Sequence, residues 1–114
     1  MALLNVIGGG EQAALVATAV TAAGTTQATA TELTAADSEV TTVASGAGVV
    51  LNRLLTSGEE MTVFNAGLNG LKVYPPTGMK FNSLPANAAM TLSVNTGVFF
   101  RCVSTSRIIG LLSA

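Results

Sequence analysis

The stretch EEMTVFNAGLNGLKVYP, residues 59–75, decides how the chain is read. Side chains alternate along a strand, so Met61 and Val63 share one face of a first strand, and Leu71 and Val73 share one face of a second. Between them NAGLNG, with Asn65, Ala66 and Gly67 at its start, supplies Asn and Gly that tolerate positive φ, and the spacing predicts a β-hairpin. Pro75 and Pro76 end the second strand because proline has no N–H to give a ladder, and Gly78 sits in the loop that follows.

The same reading extends in both directions. Downstream, MKFNSL forms a further strand before Pro85, and AMTLSV alternates Met90, Leu92 and Val94 against Thr91 and Ser93. Asn95-Thr96-Gly97 turns the chain into two closing strands, VFFRCVS and RIIGLLS, with Phe99 and Phe100 on opposite faces of the first. Upstream, SEVTTVA favours a strand, and Gly46 and Gly48 punctuate the chain before VVL. Only residues 10–23 compete as a helix; their Thr and Val content lowers helix propensity, and Gly24 fits either a helix cap or a turn. Short strands between turn residues predict an all-β protein, an antiparallel β-sandwich or jelly-roll-like barrel. An extended or partly helical N-terminal arm over 1–24 precedes a β domain over 25–114.

Composition sets what such a domain can do. With 114 residues the chain has the length of one domain and enough surface to bury a core. Only 10% of its residues are charged, against the roughly 25–35% usual for a soluble surface. Thr, Ser, Asn and Gly must supply the remaining polar surface, and part of the exterior is expected to be covered by other protein. The net charge of −1 provides no basic excess to displace counterions from a nucleic acid. Its distribution is uneven: Glu11, Glu32, Asp37 and Glu39 precede every basic residue, and Lys72, Lys80, Arg101 and Arg107 follow the last acid, Glu60. Acid and basic halves of this kind can pair across subunits, although scattered solvated charges are the plainer reading. MALLNVIGGGEQ lacks the basic start of a secretory signal, and Thr and Gly interrupt the one long apolar stretch before it reaches the length of a membrane helix.

Catalytic constellations are not evident. The chain has no His, which removes the usual general base, triad partner and commonest metal ligand. Cys102 is a single cysteine among strand formers and reads as a buried structural thiol. Asp37 and Glu39 fall on the same side of a strand, but exposed acids are the plainer reading than a catalytic pair. Tyr74 with Phe64 offers at most a small aromatic platform. Gly8, Gly10 and Ala13 match the spacing of a dinucleotide-binding turn, and Glu32 stands near the place of a ribose-binding acid. That fold needs parallel strands joined by crossover helices, and the hairpin-spaced second half offers none. The glycine cluster reads better as a bend that lets Leu3, Leu4, Val6 and Ile7, followed by Gly8, Gly9 and Gly10, reach a neighbour. Contact rather than catalysis is expected, with no cofactor and no metal.

The run TAAGTTQATATELTAADSEVTTVASGAGVVL followed by GEEMTVFNAGLNGLKVYPPTGMKFNSLPANAAMTLSVNTGVFFRCVS, roughly residues 20–104, resembles small capsid decoration (cement) proteins and related virion modules of tailed bacteriophages. The matching features are the Asn65-Ala66-Gly67 turn, the Val73-Tyr74-Pro75 strand end, Gly78, and Phe100 with Cys102 in the closing strand. The family's usual aromatic close is missing, since SRIIGLLSA contains no Trp. The resemblance implies a virion protein made in the host cytoplasm, placed on the outer capsid surface as a homotrimer bound to the major capsid protein. No nucleic-acid or membrane partner is expected, and residues 3–10 are the candidate capsid-contact arm. A fibre or appendage module that binds a receptor or glycan is the alternative, and a dinucleotide-binding protein the remote one.

Overall fold

Strand-forming residues in this chain come in short runs broken by Gly, Asn, Pro and Ser, so the backbone must turn every few residues. The computed structural model describes residues 16–113. They form β1 (Val16–Thr21), β2 (Thr31–Glu32), β3 (Asp37–Thr42), β4 (Gly48–Val50), β5 (Glu60–Asn65), β6 (Leu71–Tyr74), β7 (Lys80–Phe81), β8 (Met90–Leu92), β9 (Gly97–Cys102) and β10 (Arg107–Leu112). There is no helix among the described residues, and the all-β expectation holds.

Consecutive strands do not pair through the first six. β1, β3 and β5 stack in one sheet and β2, β4 and β6 in another, and both stacks are parallel. Each coil of chain crosses from the first sheet to the second and returns one strand further along. Val16 stands beside Asp37 and Asp37 beside Thr62; opposite them, Thr31 stands beside Val49 and Val49 beside Val73. The architecture is a short two-sheet β-solenoid. The remaining strands close it: β8 pairs antiparallel with β6, β9 with β5 and β10 with β9, while β7 lies parallel to β10 at the far edge. The sheets run β1-β3-β5-β9-β10-β7 and β2-β4-β6-β8.

The expected antiparallel sandwich or jelly-roll-like barrel is therefore corrected. Alternation reports which side chains face inward but is the same for parallel and antiparallel neighbours, and parallel strands need only a crossover. Here a strand of the opposite sheet makes that crossover in place of a helix. The expected hairpin over 59–75 is corrected with it: β5 and β6 lie in different sheets, and NAGLNG is a corner between them. Of the arm expected over 1–24, residues 1–15 lie outside the described residues, Val16–Thr21 form β1, and Ala22 enters the core.

One core lies between the sheets. Val40, Val63, Val98, Phe100 and Ile108 point in from the six-stranded sheet and meet Val49, Leu71, Val73 and Leu92 from the other. The rings of Phe81 and Phe100 stack at 4.8 Å between centroids, which adds to their burial. A second, smaller cluster lies outside the four-stranded sheet, where Val50 and Tyr74 are covered by Ala30 and Ala89.

Candidate interaction surface

Since directly opposed residues in a ladder project to the same side, the pairing maps the outer face of the six-stranded sheet. Phe99 of β9 is opposed by Thr62 of β5 on one side and Leu111 of β10 on the other. Phe64 is opposed by Gly97, and its ring lies over that glycine, where a Cβ would meet Cδ1 at 3.3 Å. Phe64, Phe99 and Leu111 are 38%, 37% and 63% exposed, so three large apolar side chains sit in one solvent-facing patch. Scattered apolar residues are normal on a surface, whereas these three are neighbours and form one contiguous patch of the kind that can serve contact.

Charges flank this patch. Asp37 and Glu39 project from β3, in register with Thr62 and Phe64. Arg107 of β10 pairs in register with Lys80 of β7 at the other side. Among the described residues the ion pairs are Arg53 with Glu32, at 3.8 Å, and Arg101 with Glu60. Neither involves Asp37, Glu39, Lys80 or Arg107.

The turn residues singled out in the sequence occupy corners of the solenoid. Asn65 is fully buried: its Nδ2 donates to the carbonyls of Asn69 and Leu92, each at 2.9 Å, and its Oδ1 accepts from the Gly67 N–H at 2.9 Å. A Cβ on Gly67 would stand 2.6 Å from Val43 Cγ2, so the corner requires the bare backbone there. Ala66 donates its N–H to the Val40 carbonyl, tying the corner to the coil before it. Pro75 and Pro76 are buried, and the Pro75 carbonyl accepts from Gln27 Nε2 at 2.7 Å. Gly78, at φ 85°, donates its N–H to Asn87 Oδ1 at 2.6 Å. These residues hold backbone corners rather than lining a common cavity.

Leu3, Leu4, Val6, Ile7 and Gly8–Gly10, together with the dinucleotide-like spacing through Ala13, lie outside the described residues. Glu32, the acid tied to that spacing, accepts from the Arg53 N–H at 2.8 Å and pairs with its guanidinium. Asp37 and Glu39 do share one exposed face. Tyr74 and Phe64 form no platform, because they belong to different sheets; the Tyr74 hydroxyl donates to the Thr25 carbonyl at 3.1 Å. Cys102 is buried; burial pushes its thiol above the ordinary value, and the Sγ–H donates to the Ser104 carbonyl at 3.2 Å. Among the described residues no group of three or more His, Cys, Asp or Glu is placed to hold a metal ion. Alternation alone places Phe99 on a face opposite Phe100 but not beside Phe64 and Leu111, which join it only through the order of β5, β9 and β10.

Fold and surface together define a short β-solenoid with, among the described residues, an exposed apolar patch on its six-stranded sheet. Comparison with protein families, characterised proteins and solved structures yields no match for this chain.

Proposed function

We propose that this protein is a structural component of a phage virion that binds the outside of the assembled capsid as a homo-oligomer, with three copies the number implied by its resemblance to decoration proteins. It braces the shell through contact and performs no catalysis. The observation that carries this reading is the bare patch of Phe64, Phe99 and Leu111 on a chain with only 10% charged residues, a surface suited to meeting protein. The sequence resemblance over roughly 20–104 supports the same reading. A protein that binds only the assembled lattice stabilises it in proportion to occupancy, and repeated sites turn a modest contact into firm attachment by avidity.

The test is to mix purified protein with expanded heads that lack it and to measure uptake. Saturable binding to heads, with heads that then withstand heating better, is the expected result. Binding to host cells in its place would favour a fibre or appendage module. Removing residues 1–10 is expected to leave folding and self-association intact while weakening attachment to heads; attachment at full strength would remove that segment from the contact.

A further inference from the structure

The outer face of the six-stranded sheet carries more than an apolar patch. Asp37 and Glu39 stand two residues apart on one side of β3, and Lys80 and Arg107 stand directly opposed across β7 and β10. Like charges opposed across a ladder cost stability. β3 and β7 are separated in the sheet by β5, β9 and β10. At about 4.8 Å per strand, the acidic and basic flanks lie roughly 20 Å apart. That is more than twice the roughly 8 Å screening length at physiological salt, so the flanks do little to neutralise one another within a single copy.

We infer that this face is the contact between copies of the chain: the acidic flank, Asp37 and Glu39, of one copy meets the basic flank, Lys80 and Arg107, of the next, with Phe64, Phe99 and Leu111 covered beside the junction. Three features select this occupant. Each flank supplies the charge the other lacks, and among the described residues neither flank has an ion-pair partner. The flanks lie on opposite sides of the patch, so a closed ring of copies leaves no flank unmatched on any member. Each flank gathers like charges that the isolated subunit must hold together, and the matching flank of a neighbour relieves that repulsion. A partner that is uniformly acidic or uniformly basic would match one flank and repel the other. The inference rests on the self-association half of the proposed function and is independent of the capsid half.

The experiment measures mass in solution by sedimentation across a concentration series, for the whole chain and for three variants. The native chain is expected to be a closed oligomer. D37K/E39K and K80E/R107E each place like charge against like and are expected to weaken association by about tenfold or more. The combined variant D37K/E39K/K80E/R107E exchanges the two flanks and is expected to associate as the native chain does, which a loss of folding or of bulk apolar contact would not produce. All four positions are exposed, so the fold is expected to survive, as circular dichroism would check. If a reversal fails to fold, the neutral variant D37N/E39N serves in its place and is expected to associate more weakly than the native chain. A monomeric native chain, association unchanged in either half-reversal or in that neutral variant, or failure of a folded combined variant to recover would each overturn the inference. Uptake by bare heads, measured in parallel, separates the two claims. A native monomer that still decorates heads overturns the copy-to-copy contact alone, and a native oligomer that ignores heads overturns the capsid reading alone.

Discussion

Outside the four-stranded sheet, the chain covers its own apolar residues; outside the six-stranded sheet, the described residues leave them in water. Val50 and Tyr74 are closed over by Ala30 and Ala89. Gln27 fastens that cover, donating to the Pro75 carbonyl at 2.7 Å and to Asn87 Oδ1 at 3.2 Å. No such layer lies over Phe64, Phe99 and Leu111 among the described residues. The contrast follows from connectivity. The longer links beside the four-stranded sheet, between β1 and β2 and between β7 and β8, fold back onto it, whereas β5, β9 and β10 sit side by side with their outer row bare. One face is covered from within the subunit, and the other is left bare by the described residues.

The two faces should differ most when each loses an aromatic residue. Tyr74→Ala deletes a buried ring and strips the hydroxyl from Thr25, and is expected to cost about 3–5 kcal/mol in urea unfolding. Phe99→Ala removes a ring already more than one-third exposed and is expected to cost about 1 kcal/mol or less, while self-association falls. Equal losses of stability would mean that the two faces are not distinct in kind.

A smaller effect is expected where the chain passes from one sheet to the other. Asn65→Ala abandons the Asn69 and Leu92 carbonyls and the Gly67 N–H, and is expected to destabilise by about 2–3 kcal/mol. Asn65→Asp separates hydrogen bonding from shape: its carboxylate can still accept from Gly67 but sets a buried charge against the two carbonyls, so it is expected to destabilise at least as much as the alanine variant at neutral pH and to recover in part in acid, where the protonated carboxyl can donate to one of them. Smaller again is Gln27→Ala, which unfastens the cover over Tyr74. About 1 kcal/mol is expected, with faster amide exchange confined to the 24–30 link.

Inward and outward positions were legible in the sequence wherever alternation was strict. Met61 and Val63, Leu71 and Val73, and Phe100 against Phe99 fall on the sides their spacing predicts. Strand partners were not legible, because NAGLNG has residues suited equally to a hairpin and to a corner. The Asn65 side chain favours the corner by bonding Leu92, a residue distant in the chain, and local turn propensity carries no trace of that bond. The proposed contact face was half legible. Acid in the first half and base in the second were plain in the charge order, but their arrival on one face depends on β7 joining the sheet beyond β10.

The smallest expected effect has the opposite sign and lies behind the bare face. Ser38 points inward from β3, between Ala17 and Val63 in the register, and its buried Oγ has no hydrogen-bond partner. A buried hydroxyl left unbonded forfeits its water without replacement, at a cost of about 1–3 kcal/mol. Ser38→Ala removes the hydroxyl and leaves a space too small to offset that gain. Stability is expected to rise by about 0.5–1 kcal/mol, read as a higher urea midpoint with an unchanged slope. Because Ser38 faces away from Phe64 and Phe99, self-association is expected to stay as it was, so the variant separates the stability of the coil from the contact made by its outer side. A fall in stability would show that the hydroxyl is bonded in solution; a change in association would show that the two sides of the sheet are coupled.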